Sequence, residues 1–315
     1  MSYRSQDARH LSGRETARSL PAMTAISVND LYKSYDGTEA VRGVSFDVAA
    51  GEVFCLLGPN GAGKTTTVEI LEGYRLADAG TVRVLGTDPA RGDRALRDRL
   101  GIVLQAGGIQ PELTVSEVLE MYGRWYERTR PVDELLELVE LADERDARVQ
   151  TLSGGQQRRL DLALGLVGDP ELLFLDEPTT GFDPGARRRA WSTIRLLCSL
   201  GKTVVLTTHY MDEAQALADR VAVLVEGKII ALGPPEQLAG RDGLPAEIRF
   251  RVPETVRLPD LPGVTRDGQS VLVRTPEPVA VTHRLTGWAL ETGVALDGFA
   301  VAQPSLEDIY LELTT

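Results

Sequence analysis

The chain has 315 residues, which is more than one average domain and favours a large domain joined to a smaller one. Hydrophobic residues make up 43% of it and charged residues 25%, a balance typical of globular proteins that excludes collagen-like and largely disordered chains. Acidic residues outnumber basic ones by 46 to 34, and the resulting net charge of -12 argues against a protein held to nucleic acid by a basic surface.

Cysteine content and hydropathy indicate the compartment. Only Cys55 and Cys198 are present, each within an apolar stretch, so the sequence predicts no disulfide framework and fits a reducing environment. No segment approaches the roughly 18 apolar residues of a membrane-spanning helix. The arginine-rich N-terminus also lacks the apolar block of a signal peptide. We therefore expect a soluble, cytoplasmic chain.

The first part of the chain divides into a tail and a β-rich segment. Residues 1–22 are polar and without periodicity, which predicts a disordered tail and makes Met23 an alternative start. From residue 24 to 53 the pattern is strand-like, with a turn signal at Asp36-Gly37. We expect antiparallel strands there.

A glycine-rich segment follows the apolar run V-F-C-L-L and precedes a helical pattern, and it fits G-x-x-x-x-G-K-[ST]. Glycines there let the backbone wrap phosphate oxygens, Lys64 reaches the β- and γ-phosphates, and Thr65 ligates Mg²⁺. The alternative is a merely structural glycine turn. The predicted phosphate-binding residues are Gly58, Pro59, Asn60, Gly61, Ala62, Gly63, Lys64, Thr65 and Thr66.

A helical segment follows between about Glu112 and Leu166. Its apolar positions recur at helical spacing, and Thr114 and Glu117 have the spacing of a capping box. We predict a helical subdomain at about residues 106–167, inserted into the sheet domain.

Two acidic residues end the next apolar strand. The runs E-L-L-F-L-D and K-T-V-V-L-T-T lack alternation, which predicts buried parallel strands. The first run ends in Asp176 and Glu177, where one carboxylate can hold Mg²⁺ and the other can polarise an attacking water. Taken alone, such a pair could equally be a solvated strand end or a helix cap.

The last third of the chain changes character. A hairpin is predicted to turn at Glu226-Gly227, and Gly233-Pro234-Pro235 marks the end of the first domain. Residues 239–315 read as a small α+β domain. In this part we expect strands at A-E-I-R-F-R-V, S-V-L-V-R and V-A-L-D-G-F, a helix near Val279–Glu291 and a final helix in S-L-E-D-I-Y-L-E-L.

The segment Leu152-Ser153-Gly154-Gly155-Gln156 resembles the signature of ABC ATPases, and it lies, as in that family, just before the Asp-Glu strand. Ser153 could instead simply cap a helix. The resemblance covers roughly residues 24–238 and implies an α/β phosphate-loop NTPase core at 23–238, with an antiparallel β subdomain and a helical subdomain. It also implies that the signature contacts the nucleotide held by an opposite subunit.

The resemblance assigns further positions. Gln105 looks like the glutamine that senses Mg²⁺ and water and faces a membrane partner. Asp183 resembles the aspartate that reaches across the dimer, and His209 the histidine that contacts the γ-phosphate. Tyr35 resembles the aromatic residue that stacks on adenine, with Tyr32 as the competing candidate.

The final P-S-L-E-D-I-Y-L-E-L looks like the C-terminal extension of multidrug and daunorubicin-resistance exporter ATPases, although a generic amphipathic helix is the alternative. The resemblance implies ATP hydrolysis with Mg²⁺ by a head-to-tail dimer of two copies. It also implies a separate membrane permease, the cytoplasmic face of the membrane, and export of drugs, antibiotics or other hydrophobic compounds.

Two other functions agree less well with the sequence. An ABC ATPase acting on the ribosome or nucleic acid is disfavoured by the acidic balance, so no nucleic-acid partner is predicted. A non-catalytic ATP-binding module would be expected to lack Glu177 or His209, and both are present.

Overall fold

The computed structural model describes residues 24–103, 108–239 and 245–302. The N-terminal tail, Gln105 and the predicted final helix lie outside these ranges. Within them, no helix combines the length and the apolarity needed to cross a bilayer.

The strands of the described residues are, in chain order, β1 Thr24–Tyr35, β2 Thr38–Ala49, β3 Val53–Leu57, β4 Ala79–Val84, β5 Leu100–Val103, β6 Leu172–Asp176, β7 Thr203–Thr208, β8 Arg220–Val225, β9 Lys228–Gly233, β10 Ala246–Arg251, β11 Val264–Asp267, β12 Ser270–Thr275 and β13 Asp297–Ala302. The α-helices are α1 Lys64–Leu71, α2 Arg94–Arg97, α3 Val115–Gly123, α4 Val132–Leu138, α5 Gly154–Leu166, α6 Pro184–Ser199, α7 Met211–Leu217, α8 Pro235–Ala239 and α9 Pro278–Thr292.

A six-stranded sheet in the order β5-β6-β7-β3-β8-β9 forms the centre. Its first five strands are parallel, and β9 pairs antiparallel with β8. All residues of β3 are buried: Phe54 and Leu56 pack into one apolar cluster, whereas Val53, Cys55 and Leu57 pack into the other. Burial on both faces is the reason that this strand reads as an unbroken apolar run. The predicted parallel strands are confirmed.

An antiparallel sheet in the order β2-β1-β4 packs against one face of the central sheet. The rings of Phe46 and Phe54 stack across this contact with centroids 4.9 Å apart. The predicted turn at Asp36-Gly37 is confirmed, with φ values of 46° and 81°. The strand β4 was not predicted, because its pairing with β1 is distant in sequence.

The helices α3, α4 and α5 form a separate apolar cluster between β5 and β6 in the chain. The predicted capping box is confirmed: Thr114 Oγ1 accepts from the amide of Glu117 at 3.2 Å, and the Glu117 carboxylate accepts from the amide of Thr114 at 2.8 Å. This capping fixes where α3 begins.

The predicted hairpin between β8 and β9 is confirmed, with Glu226 and Gly227 both at positive φ, as a two-residue hairpin turn requires. Beyond it, a sheet in the order β11-β12-β10-β13 has its own apolar cluster with α9. The predicted helix near Val279–Glu291 is confirmed as α9. The predicted strand V-A-L-D-G-F begins only at Asp297, because the amide of Val294 bonds instead to the carbonyl of Ala289 at the end of α9.

Glu72 follows α1 and is only 8% exposed. Burial, aided by the negative charges of Asp176 and Glu69, raises the pKa of its carboxyl to about 8. The helix that begins at the phosphate loop therefore ends at a carboxyl whose charged form is unfavourable.

Replacing Glu72 by Gln tests how much the buried, ionised carboxyl group destabilises the fold. Because the pKa is higher in the folded chain than in the unfolded one, the wild type loses stability as the pH rises from about 4.5 through 8. We expect Glu72→Gln to be more stable than the wild type at pH 9 by about 2–5 kcal/mol, and to lose most of that advantage at pH 5. Urea denaturation at both pH values measures the difference. Glu120→Gln, on the exposed face of α3, is the control. An equal effect of Glu72→Gln at both pH values would contradict the prediction.

Candidate active site

The predicted phosphate loop joins β3 to α1 at the carboxyl edge of the central sheet. Two of its glycines are sterically required, since a Cβ on Gly58 would lie 2.2 Å from the carbonyl oxygen of Leu224, and one on Gly63 would lie 2.3 Å from that of Ala40. Gly63 also has a φ of 99° and caps α1 without a side-chain bond. The first amides of α1 are thus left to a ligand.

Lys64 lies inside the curve of this loop. Its side chain is buried, and Nζ donates to the carbonyl oxygens of Gly58 at 2.8 Å and Pro59 at 3.0 Å. Nζ also lies 4.0 Å from Oε1 of Glu177. Burial lowers the pKa of Lys64, whereas the charges of Glu177 and Asp176 oppose that shift. The lysine and both carboxylates therefore share one electrostatic environment.

Thr207 holds the two acidic residues together, and sequence reasoning missed it. Its hydroxyl donates to Oδ1 of Asp176, and its Oγ1 and carbonyl oxygen each accept from the amide of Glu177 at 3.1 Å. Thr207 pairs with Asp176 in the register of β6 and β7 and is completely buried. The available signal was a polar residue near the end of an apolar strand.

The Glu177 carboxylate is held from two sides. Oε1 lies 3.0 Å from Nδ1 of His209, and Oε2 accepts from the hydroxyl of Thr180 at 3.1 Å. Burial alone would raise the pKa of Glu177, but hydrogen bonds from His209 and Thr180 and the charge of Lys64 outweigh it and lower the pKa below its ordinary value. The carboxylate is therefore ionised at neutral pH and can accept a proton.

The chemistry of the donors fits Mg²⁺. Thr65 is exposed in the first turn of α1, and Asp176 ends β6 beside the loop. Among the described residues no group of three or more His, Cys, Asp and Glu side chains could hold a metal by itself. One carboxylate and one hydroxyl, completed by phosphate oxygens, form the kind of oxygen set that Mg²⁺ takes.

The two tyrosine candidates differ in surroundings. Tyr35 is half-buried, and its ring lies 5.5 Å from Lys33 Nζ and 5.3 Å from Arg75 Cζ. Tyr32 is 42% exposed, and its hydroxyl lies 2.7 Å from where a Cβ on Gly43 would stand, so its ring covers that glycine. The ring of Tyr35 therefore lies next to two cationic side chains.

The predicted signature begins α5, and the expected capping is confirmed. Ser153 Oγ accepts from the amide of Gln156 at 3.3 Å, and Oε1 of Gln156 accepts from the amide of Ser153 at 2.8 Å. A Cβ on Gly154 or Gly155 would meet no atom within 4 Å, so the helix start is open. Ser153 therefore caps α5, whether or not it also binds phosphate.

Asp183 lies on the same surface as the signature. It caps α6, accepting from the amides of Gly185 at 2.8 Å and Ala186 at 2.9 Å, and these bonds lower the pKa of its carboxyl. Gly154, Gly155 and Asp183 line one cleft of about 670 Å³, which none of the described residues from 58 to 66 lines. The structure thus brings the signature and Asp183 together and leaves the phosphate loop outside their cleft.

Sequence profiles match two parts of the chain. The ABC transporter profile matches residues 41–180, and a profile described as ABC transporter domain-containing protein-like, C-terminal domain, matches residues 246–305.

Full-length relatives and a solved structure resemble the chain. Nod factor export ATP-binding protein I of Rhizobium sp. (strain N33) is 40% identical, over 92% of this chain and 97% of the relative. Daunorubicin resistance ATP-binding protein DrrA3 of Streptomyces coeruleorubidus is also 40% identical, over 93% of this chain and 96% of the relative. A dimeric ATP-binding cassette solved with ADP and inorganic phosphate is 25% identical, with a TM-score of 0.61 over 66% of this chain and 98% of that one.

The sequence identity extends over nearly the whole chain, and the fold, the phosphate loop and the acidic strand end agree with it. This chain belongs to the ABC transporter family and is one of its ATP-binding, ATP-hydrolysing subunits.

Proposed function

We propose that this subunit powers an exporter of drugs, antibiotics or other hydrophobic compounds through a separate membrane permease, on the cytoplasmic face of the membrane. The names of its relatives support export, because they concern Nod factor export and daunorubicin resistance. Nothing in the fold or in those names favours the alternative of a ribosomal or nucleic-acid ATPase.

One observation carries the mechanism: Lys64 and Glu177 lie together, whereas Ser153 lines a different cleft of the same subunit, together with Asp183. A nucleotide bound at Lys64 is therefore left uncovered on one side. A second copy arranged head to tail can supply its Ser153 and Asp183 to that side. Two copies then enclose two nucleotides, as the resemblance to ABC ATPases implies.

Within one subunit, the phosphate loop binds the triphosphate. Lys64 exchanges the carbonyl oxygens of Gly58 and Pro59 for phosphate oxygens, which relieves the cost of its burial. The amides at the start of α1 donate to the phosphates. Thr65 and Asp176, together with Gln105, would hold Mg²⁺, which neutralises charge on the phosphates.

Glu177 orients the attacking water and accepts its proton. His209, which now bonds Glu177 through Nδ1, contacts the γ-phosphate and keeps the carboxylate directed at the water. Tyr35 stacks on adenine. Hydrolysis then removes the γ-phosphate that joins the two copies and allows them to separate.

Glu177→Gln tests the base and the dimer together. The amide keeps the size of the carboxylate but cannot take a proton, so hydrolysis is expected to fall at least about 100-fold while ATP affinity stays within about threefold. Light scattering after gel filtration with ATP should show a stable dimer. Glu171→Gln is the control, because Glu171 immediately precedes β6 at the end of the strand opposite to Glu177. A Glu177→Gln protein that turns over at the native rate, or that stays monomeric with saturating ATP, would refute the assignment.

Thr207→Val tests the link between the acidic residues. Valine keeps the shape but removes the hydroxyl that bonds Asp176 and the Glu177 amide, so kcat is expected to fall about tenfold and the Mg²⁺ requirement to rise. Steady-state hydrolysis over a Mg²⁺ titration measures both. Thr203→Val, in the same strand, removes a hydroxyl that bonds Gly51 away from the site and is the control. Equal effects of the two substitutions would show that Thr207 acts only on stability.

Substitutions of Tyr35 test the adenine contact. We expect Tyr35→Ala to raise KM for ATP about tenfold with little change in kcat, and Tyr35→Trp to keep KM, because stacking needs only a π face. Tyr32→Ala is the matched comparison. If Tyr32→Ala raises KM and Tyr35→Ala does not, Tyr32 is the adenine contact.

A further inference from the structure

Arg158 joins the signature helix to the acidic strand end of the same subunit. It lies on α5, and its guanidinium donates to the carbonyl oxygens of Asp176 at 3.2 Å, Glu177 at 3.3 Å and Pro178 at 3.5 Å. Three successive carbonyls are thus bonded by one side chain. Its planar fork of donors suits such a set, whereas a lysine would donate from a single nitrogen atom.

The contact is largely protected from solvent. Only 11% of the Arg158 side chain is exposed, and its Nη1 lies 3.6 Å from Oδ2 of Asp161, one turn further along α5. Since Asp161 belongs to the same helix, the ion pair restricts the rotamer of the arginine without tying it to another element. The guanidinium is therefore directed at the strand end.

The bonded peptide includes an unusual backbone conformation. Glu177 has a φ of 46°, a region that residues other than glycine rarely adopt. Thr207 holds the amide of Glu177 from β7, and Arg158 holds its carbonyl from α5. Together they fix the backbone from which the carboxylate reaches His209.

We propose that Arg158 is a positioning residue: it sets the backbone of Glu177 from the signature helix, so that the carboxylate is aligned for hydrolysis only when α5 is seated against the end of β6. The inference rests on the proposed function, because it assigns a role to α5 in the hydrolysis that Glu177 assists.

Arg158 lies on the helix that begins at the signature, so its contact links the position of the signature to the backbone of Glu177. Ser153 and Arg158 are separated by about 7.5 Å along the helix axis and move together because an α-helix is stiff over such a distance. A displacement of the signature by a nucleotide of the opposite subunit therefore reaches the carbonyl of Glu177. Each subunit's base thereby responds to the nucleotide that its own signature covers.

Arg158→Met, Arg158→Lys and Arg145→Met test the proposal in the full-length protein. Methionine keeps the apolar stem and removes all three donations, so kcat is expected to fall about 10- to 100-fold through misplacement of Glu177. The Kd for ATP, measured by equilibrium binding, should stay within about threefold, because Arg158 does not belong to the phosphate loop. Lysine should give an intermediate kcat. Arg145→Met removes an exposed ion pair with Asp133 in the helical region and should keep the native kcat.

Combination with Glu177→Gln distinguishes positioning from a structural role. If Arg158 acts through Glu177, Arg158→Met causes no further loss in the Glu177→Gln background, as measured by single-turnover hydrolysis. An independent loss in the double variant would overturn the proposal. A native kcat in Arg158→Met would also overturn it. The same holds if the ATP affinity of Arg158→Met falls by as much as its kcat. Should the methionine variant not fold, the same comparison with Arg158→Lys decides.

The proposed function and this inference fail differently. The proposed function is refuted if the wild-type protein hydrolyses no ATP, or if Glu177→Gln forms no dimer with ATP. Only the role of Arg158 is refuted if the wild type hydrolyses ATP and Arg158→Met has the same kcat.

Discussion

The positive charge of Lys64, buried beside two carboxylates, constrains the rest of this site. A lysine that is only 5% exposed is costly unless its charge is compensated, and the loop meets that cost by turning the carbonyl oxygens of Gly58 and Pro59 inward. Such a turn needs glycine where side chains would strike Ala40 and Leu224. The charge is held in place before any phosphate arrives, so a triphosphate gains a preorganised partner.

The central sheet explains why the other residues meet at this point. Parallel strands end at a common edge, and β3, β6 and β7 bring the phosphate loop, the acidic pair and His209 there. These strands are buried on both faces. The hydroxyl of Thr207 then links neighbouring strand ends with bonds to both acidic residues, which places Glu177 within reach of His209 and Lys64.

The signature and the phosphate loop line different clefts of the subunit. Ser153 and Asp183 line one cleft that the phosphate loop does not line, and Arg158 ties the signature helix to the backbone of Glu177. In the proposed head-to-tail dimer, the signature of a second copy covers the nucleotide bound at Lys64.

Much of the site could be predicted from local sequence. The phosphate loop, the acidic pair, the capping boxes at Thr114 and Ser153 and the turn at Asp36-Gly37 depend on residues close together in the chain, and their patterns determined them. Spacing cannot show which side chains meet across strands. The bonds of Thr207 to Asp176, the different surroundings of Tyr32 and Tyr35, and the three carbonyls bonded by Arg158 were decided by the tertiary structure, because they depend on strand register and on the packing of a helix against a distant strand end.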